Sequence, residues 1–228
     1  MTKSELRGLS VFGLTPVAIA YGAKRIETRS WQCPERAIGT QIAIHASKTR
    51  GPGGLKGLED WMLEEQNQQW LVDAGYLEWK GSLDDDTPEI YDRDSLSPNG
   101  WVLHAKDLPR GVLVALATID ACVPTEQISS FISDLEWSHG DYTPGRWAWL
   151  LRDVERLTKP VEYSGALGLF KIEPWKDFSE PGEPKVHDPV ARIRRQKRVP
   201  VEPWSDHQTN YGLDRSQTPR QFTRGVTA

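Results

Sequence analysis

The sequence predicts one α+β domain over 1–175. It should be a mostly antiparallel β-barrel with short flanking helices, carrying a helical and acidic insertion at 51–107 and followed by an extended or disordered tail over 176–228. Three observations lead there. Apolar residues alternate over short runs bounded by turn residues, and helical spacing is confined to brief segments. A length of 228 residues with 38% hydrophobic ones suits one domain with additions. After Trp175 the composition shifts to six prolines and the basic run Arg192, Arg194, Arg195, Lys197 and Arg198, with few aliphatic residues beyond Val201.

The first strand is expected within 1–13, with Leu9 and Val11 on one face. Thr15-Pro16 reads as an N-cap followed by proline at the first helical position. The short helix Pro16–Tyr21 then ends at Gly22, which accepts the left-handed conformation. Arg25–Ser30 and Gln41–Ala46 alternate as strands, and Pro34 and Gly39 mark a turn between them. Gly51-Pro52-Gly53-Gly54 breaks this pattern. Leu55, Leu58, Met62 and Leu63 recur near helical spacing beside Trp61 and Trp70, so 55–73 should be a helix that decorates the barrel. Lys80–Asn99, with Asp84-Asp85-Asp86, reads as an irregular acidic loop. Val112–Ile119 is apolar at both parities, as a strand covered on both faces is. A short helix is expected around Thr125–Ile132. In Arg146–Val154, Trp147, Trp149 and Leu151 share one strand face, while Ala148, Leu150 and Arg152 share the other. Pro160–Tyr163 and Ala166–Ile172 are the last short apolar runs.

The net charge of −4 is unevenly spread: residues 1–50 carry +5, 51–110 carry −8, 111–175 carry −4 and 176–228 carry +3. No apolar run approaches the roughly 20 residues that span a bilayer, and no basic-then-apolar leader opens the sequence. Cys33 and Cys122 are too few for a disulfide framework or a four-sulfur zinc site, so a reducing cytoplasm is the expected compartment. Phosphate-binding glycine loops, H-E-x-x-H, C-x-x-C and G-x-S-x-G are all missing. The histidines His45, His104, His139, His187 and His207 stand singly, and neither a metal nor a cofactor is expected.

Polar chemistry concentrates in Gly22-Ala23-Lys24-Arg25-Ile26-Glu27-Thr28-Arg29. In a strand Glu27 and Arg29 share a face, about 7 Å apart. Lys24 has the opposite parity and joins them only from the turn after Gly22. A lysine, a carboxylate and a guanidinium converging there make a polar pocket with a strongly coupled carboxylate. The alternative is that Glu27 and Arg29 make cross-strand ion pairs and Lys24 is solvated. A second set is Ile42–Lys48, where His45 and Ser47 lie opposite Ile42 and Ile44 and Lys48 follows at the strand end. Those groups can activate a hydroxyl or hold a phosphate; otherwise His45 is a hydrogen-bonded structural residue. The third set is Gly145-Arg146-Trp147-Ala148-Trp149, whose tryptophans are either core or, at a pocket rim, a surface that stacks a base.

These stretches resemble the ASCH family (activating signal cointegrator homology), a group of PUA-like β-barrels. The matching residues are Thr15-Pro16-Val17-Ala18, then Gly22, Lys24, Glu27, Arg29 and Trp31, then Ile44-His45-Ala46-Ser47-Lys48. Leu108-Pro109 with Gly111, Gly145-Arg146-Trp147-Ala148-Trp149 with Leu151, and Pro160-Val161 with Gly165, Gly168 and Leu169 follow in family order. The resemblance covers about 9–50 and 108–172 and leaves out 51–107 and the tail. It implies a barrel with a cleft beside the short helix and a role in RNA metabolism or nucleic-acid binding. Some small members are acetylcytidine amidohydrolases that use a lysine, a threonine three residues later and a distant glutamate. Lys24 matches that lysine, but position 27 holds glutamate where the threonine nucleophile would stand. A ribonuclease role is suggested for other members.

On this reading the ligand-binding residues are Lys24, Glu27, Arg29, Lys48, Arg146 and Trp147. The partner is RNA or another single-stranded nucleic acid, or a nucleoside or nucleobase, with no membrane involved. One alternative is an enzyme of amidohydrolase or ribonuclease type, in which Lys24 and Glu27 act as a catalytic proton-transfer pair. Another is a scaffold that meets a protein partner through its tail.

Overall fold

The computed structural model describes residues 5–51, 54–79, 101–173 and 198–200. Along the chain come β1 (Arg7–Val11), α1 (Thr15–Tyr21), β2 (Ile26–Arg29), β3 (Gln41–Ala46), α2 (Gly54–Met62), α3 (Glu65–Asp73), β4 (Leu77–Trp79) and β5 (Trp101–Leu103). Then follow β6 (Val112–Pro124), α4 (Asp134–Ser138), β7 (Trp147–Glu162), β8 (Leu169–Lys171) and β9 (Arg198–Pro200). A seven-stranded mixed sheet with the path β2-β7-β6-β3-β1-β8 curls into a half-barrel, and β9 pairs with β7 beside that path. The described pairs are antiparallel except β1 with β3, which are parallel because α1 and β2 lie between them and supply a crossover. Register shifts between Leu113 and Ala115, Leu116 and Thr118, and Ile119 and Ala121 bend the long β6–β7 ribbon, as bulges do.

Helix α1 sits between two cores. Ile19 and Ala20 pack with Leu9, Ile44, Ala117, Trp149 and Leu151 on one face of the sheet. Leu14, Val17 and Ala18 pack instead with Leu58, Met62, Trp70, Leu71 and Leu77 of the insertion. The N-cap is Leu14 and not Thr15: the Leu14 carbonyl accepts from the Val17 and Ala18 N–H groups at 3.0 and 2.9 Å, and no side chain caps the helix. Thr15 is already helical and buried. The far end follows the sequence expectation, with Gly22 at φ 83° and its N–H bonded to the Ile19 carbonyl at 3.0 Å.

The expected helix over 55–73 is two helices, because Glu64 is extended (φ −61°, ψ 133°) between α2 and α3. The segment is more than decoration, since its apolar residues close the second core over α1. Near Thr125–Ile132 there is only a 3-10 turn, Thr125–Gln127; the helix, α4, comes later and starts at Ser133, whose Oγ accepts the Glu136 N–H at 3.1 Å. The tail contributes one described element, β9. The acidic stretch expected over 80–99 and the rest of 176–228 lie outside the described residues. Cys33 and Cys122 are buried and unbridged, the Cys33 N–H donating to Cys122 Sγ at 3.2 Å. Among the described residues no helix is long and apolar enough to cross a membrane.

Candidate functional site

Strand β2 carries the charged residues on the face of the sheet that holds the first core. Glu27 stands opposite Trp149, a member of the first core, and Arg29 opposite Trp147, which packs against that core. Glu27 and Arg29 therefore share a face, as their parity requires, and meet directly: Arg29 Nε lies 3.0 Å from Glu27 Oε1. Arg29 Nη2 also donates to the Ser10 carbonyl at 2.7 Å, tying β2 to β1.

Lys24 turns inward. The left-handed turn at Gly22 is closed by the Lys24 N–H bonding the Ala18 carbonyl at 3.1 Å, and the side chain is fully buried. Its Nζ donates to Glu136 Oε1 at 2.9 Å. Glu136 also accepts the N–H groups of Arg25 at 2.7 Å and Ile26 at 3.2 Å, and the Tyr142 hydroxyl at 3.0 Å. This one carboxylate neutralises the lysine and caps the start of β2.

Beside this buried pair opens a cleft of about 380 Å³. Glu27, Arg29 and Arg146 line it with Trp31, Trp61 and Phe12, and the turn His139-Gly140-Asp141 closes one side. That turn is pinned to β2 by the Asp141 N–H donating to Thr28 Oγ1 at 3.1 Å. Arg146 Nε sits 3.1 Å from the Asp141 carbonyl and 3.3 Å from its carboxylate. Burial pushes the Glu27 carboxyl above its ordinary range, opposed by the charges of Arg29 and Lys24. Asp141 goes the other way, held down by hydrogen bonds from the Thr143 hydroxyl and N–H. His139 is pushed well below the ordinary histidine value by burial and by the Lys24 charge, which favours the neutral ring.

Of the six residues read from the sequence, Glu27, Arg29 and Arg146 come together in the cleft. Lys24 lies beneath it on Glu136. Lys48 is exposed at the end of β3 and runs over Gly111, where a Cβ would stand 2.9 Å from its Cε. Trp147 is half-buried against the first core, and Trp149 is fully buried with its indole N–H 3.4 Å from the Trp31 carbonyl. The aromatic walls are Trp31 and Trp61 instead. The His45, Ser47 and Lys48 set does not converge: His45 Nδ1 is 3.0 Å from Ser10 Oγ and its Nε2 is 3.0 Å from the Tyr163 carbonyl, which is the structural role. Sequence reading missed Glu136, although Ser133-x-x-Glu136 has capping-box spacing and marks a helix start. Among the described residues no group of three or more His, Cys, Asp or Glu is placed to hold a metal ion.

No family model and no curated protein matches the chain. Among solved structures, it is similar to ASCH. The crystal structure of ASCH from Zymomonas mobilis aligns at 14% identity, covering 74% of this chain and 88% of that one, with a TM-score of 0.39. Two single-site variants of the Zymomonas mobilis protein align at 14% and 15% identity, with TM-scores of 0.41 and 0.38. They cover 85% and 76% of this chain, and 99% and 92% of their own.

Proposed function

We propose that the cleft binds an unpaired nucleobase, either free as a nucleoside or presented by single-stranded RNA or DNA. The observation that carries this reading is one buried carboxylate, Glu27, beside the guanidiniums of Arg29 and Arg146 and the rings of Trp31 and Trp61. Flat aromatic walls suit a flat heterocycle of any identity, and base stacking on such rings contributes about 1–3 kcal/mol. The guanidiniums meet base acceptors, and the carboxylate accepts a base N–H. A volume of about 380 Å³ falls in the ordinary range for small-molecule sites.

Charge favours a base over a phosphate as the group held. Asp141 offsets Arg146, Glu27 offsets Arg29, and Glu136 offsets Lys24, so the cleft has no excess positive charge for a phosphate chain. A base edge, polar but uncharged, fits this balance better.

One observation favours a second, enzymatic reading. Burial raises the Glu27 carboxyl inside the cleft, the direction a proton-transfer group requires. Both readings meet in one experiment, in which the tryptophan fluorescence of wild type, Arg29→Ala, Arg146→Ala and Glu27→Gln is titrated with the four ribonucleosides and a short single-stranded RNA, and the mixtures are analysed for products. Losing a hydrogen bond to a charged group costs about 1.5–3 kcal/mol, so each arginine variant should bind roughly 10- to 100-fold more weakly. Equal binding by all four proteins would remove the cleft as the site. Product formed by wild type and absent with Glu27→Gln would establish the enzymatic reading.

A further inference from the structure

A second cavity, also of about 380 Å³, is lined from α1, the insertion and strands β6 and β7, and it shares no lining residue with the first cleft. Its apolar wall includes Val17 of α1 and Val114 of β6. Its polar side chains are Arg156 and Thr158 of β7, Tyr21 of α1 and Tyr76 of the insertion. The guanidinium of Arg156 lies over the Tyr21 ring, 4.1 Å from its centre, and the Tyr76 ring meets Tyr21 edge-on at 6.3 Å. A guanidinium stacked by its face keeps its N–H edge free, and that planar fork of donors matches a carboxylate or a phosphate. Among the described residues Arg156 makes no ion pair, and none of the lining residues is an acid. Burial pushes the Tyr76 phenol up to about 12, with Tyr21 and Asp107 adding to the rise and Arg156 opposing it. The hydroxyl therefore keeps its proton and can donate. Asp107 itself is not in the lining and stands 3.6 Å from His104 Nδ1. This balance is the reverse of the first cleft, where Glu27 offsets Arg29 and Asp141 offsets Arg146.

We propose that this second cavity binds a small organic anion, its carboxylate or phosphate head held by Arg156 with the Tyr76 hydroxyl as a second donor, and its apolar body seated against Val17 and Val114. Arg156 supplies the charge and the fork, and Tyr21 holds the fork in place by stacking. A neutral molecule of the same shape keeps the apolar contact and loses the ion pair. A bare inorganic anion does the reverse. Selectivity comes from carrying both halves on one molecule. The site is independent of the nucleobase reading, since the two cavities have no lining residue in common.

The test uses four probes, benzoate, phenyl phosphate, benzamide and inorganic phosphate, titrated into the full chain with its tyrosine ring and indole signals assigned by NMR. Benzoate or phenyl phosphate should shift the ring signals of Tyr21 and Tyr76 and leave the indole signals of Trp31 and Trp61 in place; which of the two binds better tells a carboxylate head from a phosphate. Benzamide and inorganic phosphate should each bind about tenfold more weakly than the better organic anion, or weaker still. Arg156→Gln should weaken that anion roughly 10- to 100-fold, and Tyr76→Phe about 2- to 10-fold. Benzamide binding as tightly as benzoate and phenyl phosphate, inorganic phosphate doing so, or Arg156→Gln binding like wild type would each overturn the proposal. So would an absence of tyrosine shifts with both organic anions at millimolar concentration. If Arg156→Gln does not fold, Tyr76→Phe, which removes only a hydroxyl, and the wild-type Arg156 Nε–H resonance decide. That resonance should move on saturation with the organic anion, and an unmoved one would refute the contact.

Discussion

Glu136 accepts hydrogen bonds from Lys24, from the N–H groups of Arg25 and Ile26, and from the Tyr142 hydroxyl. Removing it strands a buried ammonium, two backbone donors and a hydroxyl at once. Breaking a buried pair from one side typically costs about 3–5 kcal/mol, and Glu136→Ala should lose at least that in urea unfolding. Lys24→Met should cost less, because Glu136 keeps its other donors. Glu27 gives a stability effect that depends on pH. Its carboxyl is raised by burial, so the folded state holds the proton more tightly than the unfolded chain. Stability therefore falls as pH rises from the ordinary glutamate value through the raised one, and is level above it. Glu27→Gln cannot ionise and should lack this fall. Urea midpoints of both proteins measured from pH 4 to 8 would show it, and parallel curves would mean that Glu27 is not held as described. Glu27 and Arg29 were legible in the sequence because strand parity puts residues i and i+2 on one face. Glu136 was not, since it meets Lys24 across 112 residues and no local pattern encodes such a contact.

Among the described α-helices, α4 is the shortest. Its five residues present Glu136 beneath the cleft, and His139 follows directly in the cleft wall. A helix that short depends on its cap, and Ser133 Oγ supplies one to the Glu136 N–H. Ser133→Ala should destabilise by about 1 kcal/mol and weaken nucleoside binding as well, while Ser133→Asp should restore both. Chemical unfolding and fluorescence titration of the same samples would check the pair, and a stability loss without a binding loss would uncouple α4 from the cleft. Strand β3 was read to the residue, because Ile42 and Ile44 alternate cleanly between bounding turns. The α2–α3 break was not, since Leu63-Glu64 carries no proline or glycine and the helical spacing runs straight through it. The contribution of the insertion to the site was hidden for a related reason: Trp61 meets the cleft only once the insertion packs beside the turn after α4.

Across the whole molecule, the charge read along the chain differs from the charge assembled in space. Residues 1–50 carry +5, but folding brings Glu136 of the acidic 111–175 segment onto Lys24, and Arg146 is paired within that same segment by Asp141. Binding should therefore depend little on ionic strength. Single-stranded nucleic acid binding has a slope of about −0.7 in log K against log salt per phosphate neutralised, so a nucleoside should give a slope near zero and a short RNA one no steeper than about −1. Isotherms at several salt concentrations would check this, and a slope of about −2 or steeper would mean that the phosphate chain is being followed instead. The central claim, that a base enters the cleft between Trp31 and Trp61, is tested most directly by the indole N–H resonances. With every tryptophan assigned, titration with a short single-stranded RNA should shift the indole signals of Trp31 and Trp61 and leave that of the exposed Trp137 in place. Shifts at Trp137 with Trp31 and Trp61 unmoved would put the ligand elsewhere and contradict the account.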